Sequence, residues 1–331
     1  MQLDFLLERI AQTVESHRLS EGAYARWLYK NGTHECDCAP NEYGCADAAN
    51  LLYTIGAFVR EPQARAKWVA ILQGMQAADT GLFCEPTHHP LHTTAHCVAA
   101  LELFDQRPAH PLAALEPYRT REGLFALLEG LDWLGNPWPQ SHQGAGVFAA
   151  LTIAGEADPA WQNAYFAWLR EHCDPKWGMS LRGAVDAQKA PAAHHLYGWF
   201  HYIFNHESAH RPIPYAAKLV DTCIELYKDH ALGERFGRMV GFMEIDWVFC
   251  LNRALRQAPQ RFAEGKAQLQ AFARAYVDWL AALDWRTDAE WNDLHMLFGA
   301  SCALAELAQA LPGEIETTVP LRLVLDRRPF I

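Results

Sequence analysis

The 331-residue chain has no basic run anywhere, and its 28 lysines and arginines are outnumbered by 39 aspartates and glutamates, leaving a formal charge of −11. Affinity for nucleic acid rests on Lys and Arg neutralising phosphates, so a polynucleotide partner is set aside. Long hydrophobic runs are missing too: the longest apolar stretches, 51–59 and 144–155, fall well short of the roughly 20 residues needed to cross a bilayer. Asp4 and Glu8 stand where a secretory signal would carry positive charge, so no leader is expected. Nine cysteines are an odd number without regular spacing, which speaks against a disulfide framework and for a reducing, cytoplasmic setting. There is no phosphate-cradling Gly-Lys-Ser/Thr loop, no dinucleotide glycine pattern and no Gly-x-Ser-x-Gly elbow, so nicotinamide enzymes and serine hydrolases gain little support.

What is present is apolar and repetitive. Half of the residues are hydrophobic and 12% aromatic, enough for a large core. Six segments open on polar or ionisable residues and continue as apolar runs, from Asp47, His92, His142, His194, Glu244 and Asn292. Their starts are 45, 50, 52, 50 and 48 residues apart, about what two helices and two loops require. Between them lie six segments of amphipathic periodicity, 3–17, 62–76, 112–130 (broken at Pro117), 160–172, 214–229 and 262–284. The first set carries 7 charged residues in 84 positions when Asp105 is left as a cap, the second 23 in 101, which assigns the first to the inside and the second to the outside. Six buried helices alternating with six amphipathic ones close most simply into an all-α (α/α)6 toroid, one domain spanning 1–331. An open helical array and a pair of helical domains are the alternatives. After Pro312 the pattern changes to a short irregular or strand-like tail over 313–331, its alternating stretch being 319–325, with Arg327 and Arg328 following.

The segment DTGLFCEPTHHPLHTTAHCVAALELF, residues 79–104, resembles the Gly-aromatic turn and following helix of cyclase-type repeats. With the six-hairpin pattern, the chain resembles the toroid superfamily of six-hairpin glycosidases, terpenoid cyclases and protein prenyltransferases. That resemblance implies a funnel at one end of the inner helices. It does not extend to the family motifs: Asp-x-Asp-Asp, Gln-Trp repeats and an Asp-x-Cys with a placed His are all missing. The chemistry therefore has to come from the residues themselves.

Polar residues gather where the inner helices begin: Asp47; His88, His89, His92 and His96; His142; His194 and His195; Glu244 and Asp246; Asn292, Asp293 and His295. Any one of them alone reads as a helix cap, but so many imidazoles exceed what capping requires. Glu244 is expected to be a catalytic acid, with Asp246 beside it, Asp47 as a second carboxylate and His195 as a further proton-transfer group. Substrate contacts are expected from the other histidines, Asn292, Trp138 and Trp247, since aromatic faces at a cavity mouth suit sugar rings. His89, His92 and His96, at i, i+3 and i+7, offer an alternative zinc site, and the segment with His34, Cys36, Cys38 and Cys45 a weaker one; no cofactor is otherwise expected. Gly144 and Gly146 read as close helix contacts. The expected function is an enzyme acting on a saccharide or uronic-acid-containing glycan by hydrolysis, elimination or epimerisation. The alternatives are a terpenoid or prenyl-transfer enzyme, whose diphosphate would need a basic cluster, and a non-catalytic glycan- or protein-binding toroid.

Overall fold

The computed structural model describes residues 1–28 and 39–331. In chain order its elements are α1 (Asp4–Ser16), β1 (Arg18–Ser20), β2 (Ala23–Tyr24), α2 (Glu42–Thr54), α3 (Pro62–Gly74), α4 (Pro90–Glu102) and α5 (Arg121–Gly130). There follow α6 (Pro137–Ala154), α7 (Pro159–His172), β3 (Cys173–Asp174), β4 (Met179–Leu181), α8 (Ala192–Ser208) and α9 (Ala216–Lys228). The last are α10 (Met243–Gln257), α11 (Phe262–Ala282), α12 (Leu294–Ala310) and α13 (Val324–Arg327). A 3-10 turn at Ala113–Arg119 contains Pro117 and precedes α5, because proline removes a donor from the helical ladder at that point. The protein is all-α. Its described strands form only two small antiparallel hairpins.

The helices α2, α4, α6, α8, α10 and α12 pack each on the next, and α12 returns to α2, so the neighbour relations close on themselves as an (α/α)6 arrangement requires. These helices are buried almost all round; α12, for example, hides every residue from Leu297 to Leu307. The others keep one apolar stripe. In α9, Leu219, Val220, Cys223 and Ile224 are buried while Lys218, Asp221 and Lys228 form exposed ion pairs with neighbours. Close approach within the ring uses small residues: a Cβ on Gly144 would meet Leu128 and the Tyr202 hydroxyl at 2.8 Å, and one on Gly146 would lie 3.0 Å from the Leu91 carbonyl oxygen.

Proline opens α3, α4, α6 and α7, where the missing N–H costs nothing, and Asn41, His89 and Asp293 cap α2, α4 and α12 by accepting backbone N–H groups. The expected strand at 319–325 is not formed. Among the described residues no strand lies alongside it to share its backbone groups. The segment runs irregularly from 321 to 323 and ends as the single helical turn α13, burying Val324 and Leu325 while Val319 stays exposed.

No helix among the described residues is long and apolar enough to cross a membrane. The seven described cysteines are unpaired.

Candidate active site

Where the inner helices converge, a cavity of about 270 Å³ is lined by five imidazoles, His88, His92, His142, His201 and His295, with Trp138, Phe242, Met239, Met296 and Ile331 as its apolar walls and Arg26 at one side. Neighbouring rings are close: His92 to His142 4.4 Å between centroids, His142 to His201 4.5 Å, His88 to His92 4.8 Å and His88 to His295 5.0 Å. Larger grooves exist at the surface, beside Trp177 and Lys189 and between Arg170 and Tyr215, without such a convergence.

Behind the cavity lies Asp47, wholly buried in the middle of α2. His96 Nε2 is 2.7 Å from Asp47 Oδ1, and His295 Nδ1 is 3.0 Å from Asp47 Oδ2. Burial by itself would raise the Asp47 pKa, but His96 and His295 outweigh it and hold the carboxyl well below the usual range. An ionised carboxylate only accepts, so both imidazoles donate to it. The His295 proton is thereby fixed on Nδ1, which leaves the Nε2 lone pair toward the cavity.

The same logic fixes two more rings. Ser141 Oγ lies 2.5 Å from the Trp138 carbonyl, to which it can only donate, so it accepts from His201 Nδ1 at 2.9 Å. The Thr87 hydroxyl donates to Glu85, accepts from Arg26 Nη1 at 2.7 Å, and so accepts from His88 Nδ1 at 2.7 Å as well. His92 Nδ1 pairs with the Tyr43 hydroxyl at 2.6 Å, and Tyr43 also meets Thr93 at 3.1 Å.

Four of the five rings, His92, His142, His201 and His295, are neutral near pH 7. Burial, with a further push from neighbouring imidazoles, holds His92 and His142 well below their ordinary value. Burial also lowers His201 and His295 to about 3, the latter despite the Asp47 carboxylate. The one guanidinium at the cavity is already committed: Arg26 Nε and Nη2 grip Asp293 at 3.0 and 3.2 Å. Glu85 stands 3.8 Å from the same guanidinium. Burial would raise Glu85, but the nearby His88 ring, the Thr87 hydroxyl and backbone N–H, and the Arg26 charge bring it down to about 2. Among the described residues, the guanidinium and the carboxylates beside the cavity are thus paired with one another.

Of the residues expected from the sequence, His88, His92, Trp138, His142 and His295 line this cavity, and Asp47 and His96 stand directly behind it. The others lie elsewhere. Glu244, wholly buried, accepts the Gly237 N–H at 2.8 Å through Oε1 and leaves Oε2 without a partner; burial pushes it up to about 7. Asp246 is wholly buried and is not among the residues lining the cavity; burial and then Glu244 raise it well above its ordinary value, and neither carboxyl oxygen has a hydrogen-bond partner among the described residues. His195 is held by Ser180 at 2.9 Å. His194 is exposed near Trp138. Trp247 donates to the Cys223 carbonyl at 3.0 Å and stacks on Tyr227, packing between inner and outer helices. Asn292 ties down the turn before α12 through the carbonyls of Trp285 and Asp288.

The alternative zinc trio does not share a site: His89 is exposed and caps Leu91, His92 turns to Tyr43, and His96 to Asp47. His34, Cys36 and Cys38 lie outside the described residues, whereas Cys45 is buried against Tyr24 with its thiol pushed up to about 12 by burial. Among the described residues, Asp47, His96 and His295 bring ligand atoms near enough to share an ion. Donors on a tetrahedral zinc stand about 3.3 Å apart, and the 2.7 Å Asp47–His96 spacing is that of a hydrogen bond. We read the trio as a hydrogen-bonded triad.

The sequence reading overlooked His201, Tyr43, Arg26 and Ile331. His201 follows His194 by seven residues and Tyr43 precedes Asp47 by four, helical spacings that could have drawn both in.

Comparison with protein-family profiles, curated proteins and solved structures finds no match for the chain.

Proposed function

We propose that the protein is an acid–base enzyme acting on a small neutral saccharide, in which imidazoles move a proton at carbon, as in epimerisation or elimination. One observation carries the reading: Asp47 fixes the His295 proton on Nδ1 and so presents an unprotonated Nε2 to the cavity. An aspartate in that position also stabilises the imidazolium that forms when His295 takes a proton. When the Tyr43 hydroxyl donates to His92 Nδ1, the His92 Nε2–H becomes a donor on the same cavity, supplying the acid that the base requires.

Substrate class follows from size and charge. About 270 Å³ suits a single sugar ring. Imidazole nitrogens match hydroxyl groups, and Trp138 and Phe242 supply faces for ring C–H groups. A uronate or an isoprenoid diphosphate would need a cation, and Arg26 is already paired with Asp293. Paired-carboxylate hydrolysis finds no support, because among the described residues no carboxylate lines the cavity. The cyclic packing of the inner helices supports the kinship with toroidal enzymes.

The test is to screen neutral monosaccharides for binding by ligand-observed NMR and to incubate the binders in D2O. Deuterium should enter a substrate C–H position, and His295→Gln should slow that exchange by roughly 10²–10⁴-fold while leaving affinity within a few-fold. Binding without exchange would leave a non-catalytic receptor. Preference for a diphosphate would move the protein to the terpenoid class.

A further inference from the structure

The C-terminal tail is fastened to the rim of the ring and then turns into it. Arg322 donates its backbone N–H to the Thr54 carbonyl at 2.8 Å. Arg327 pairs with Glu102 at 2.9 Å and Asp105 at 2.7 Å, at the end of α4. Asp326 takes Arg253 Nη1 at 2.7 Å, while Arg253 is itself gripped by Glu306 at 2.7 and 2.8 Å. These contacts account for the docking of α13. They do not account for the next residue.

Arg328 is 1% exposed, its guanidinium lies 5.6 Å over the Phe298 ring, and among the described residues Nε and Nη1 have no hydrogen-bond partner. Its guanidinium donates from Nη2 to Asn50 Oδ1. A buried guanidinium so poorly solvated is costly unless a buried anion compensates it. That anion is Asp47. Asn50 lies between them, accepting from Arg328 and reaching toward Asp47 Oδ1 with Nδ2 at 3.4 Å, so the amide turns its oxygen to the cation and its nitrogen to the anion. The Cys302 thiol and Tyr53 also lie near the guanidinium, and burial pushes the Cys302 thiol up, so it carries no charge near neutrality.

We infer that Arg328 is a positioning residue of the cavity: acting through Asn50, it adds a buried counter-charge to the hydrogen bonds by which His96 and His295 keep Asp47 ionised, and an ionised Asp47 is what pins the His295 proton on Nδ1. The tail, set against α2 and α8, is then a working part of the site. Phe330 against His92, at 5.1 Å between centroids, and Ile331 in the cavity wall carry the same segment to the reacting groups. The inference rests on the proposed function only for its catalytic consequence. The charge pairing and the tautomer are testable without substrate.

The experiment uses the full chain labelled with 15N at histidine. Long-range 1H–15N spectra at pH 7 report which ring nitrogen of His295 and His96 carries the proton, with assignments from His295→Gln and His96→Gln. In the wild type His295 should be the Nδ1–H tautomer and His96 the Nε2–H tautomer. Arg328→Met keeps the apolar stem and removes the charge. Asp47 should then take up a proton and donate to one imidazole, moving that ring to the opposite tautomer in more than half of the molecules, while Arg328→Lys stays like the wild type. A folded Arg328→Met protein with wild-type tautomers overturns the inference. If Arg328→Met does not fold, the double variant Asp47→Asn/Arg328→Met decides: recovery of folding supports a charge pair, and a double variant no better than the single overturns it. Wild-type tautomers as expected in a protein that exchanges no sugar C–H would leave this inference standing and the proposed reaction refuted.

Discussion

Glu244 shows how a carboxyl can be perturbed without belonging to a cavity. Its raised pKa comes from burial, and its Oε1 holds the Gly237 N–H in the loop that carries Met239 to the cavity wall. Its role is to anchor that loop. With a folded value near 7 against an ordinary 4.5, the folded protein holds a proton that the unfolded chain has released, so stability is full below pH 4.5 and is lost as pH rises through 7. Glutamine keeps the acceptor for Gly237 and cannot ionise. Glu244→Gln should therefore match the wild type at pH 5 and exceed it at pH 8.5, by an amount of order 3 kcal/mol at most, which is several degrees in Tm. Thermal melts at the two pH values check this. A loss of sugar turnover in Glu244→Gln comparable to that in His295→Gln would return Glu244 to the catalytic role that its sequence position suggested.

At the scale of the helix, what matters is rotation about the axis. Apolar periodicity and the uneven distribution of charge made the six inner and six outer segments legible, because burial of a whole cylinder leaves a compositional mark. The same information places Glu244, Asp246 and Trp247 near the start of α10 but does not say which way each points. Successive residues turn by about 100°, so the five positions from the N-cap Phe242 to Trp247 rotate the side chain by roughly 140° net: Phe242 faces the cavity while Trp247 faces α9. Asp47 and His96 were legible as polar intrusions in apolar helices. Arg328 was not, since an arginine in a short tail looks like any solvated charge until the tail is seen to enter the ring. Inter-helix spacing sets the same site from behind. A Cβ on Gly198 would come within 2.7 Å of the Pro137 carbonyl oxygen and 3.0 Å of its carbon, backbone atoms at the start of α6 that cannot swing aside. Gly198→Ala should push α6 outward with Trp138, Ser141 and His142, lowering stability by about 1–3 kcal/mol and weakening saccharide binding more than the distant Gly74→Ala, whose Cβ would meet nothing within 4 Å. Denaturant midpoints and NMR titrations of the two variants make the comparison.

For the whole molecule, the consequence of filling a ring with neutral imidazoles is acid lability. His92, His201, His206 and His295 are each at most 4% exposed and are held by burial below the ordinary value of 6.5, His206 at about 4, His201 and His295 at about 3. Below pH 6.5 the unfolded chain binds protons that these folded rings refuse, so stability falls with pH by about 1.4 kcal/mol per unit for each ring until its folded pKa is reached. Glu244 and Asp246 act in the opposite sense over the same interval, since they hold protons in the folded state that the unfolded chain has lost. These four imidazoles against the two carboxyls leave a net loss of about 3 kcal/mol per pH unit between 6.5 and 4.5, and His17, His142 and His195, lowered likewise by burial, add to it. Against a stability of about 5–15 kcal/mol, that is enough to unfold a protein of ordinary stability before the carboxylates begin to titrate in bulk. Urea midpoints measured from pH 8 to pH 4.5 should fall steeply below pH 6.5. His206→Gln, at a ring that lies outside the cavity against Phe166, should reduce the slope by about one proton without touching the site. A stability that is flat or rises over that interval would mean that the imidazoles accept protons in the folded state, and with them the neutral, lone-pair-bearing cavity on which the proposed chemistry depends would be lost.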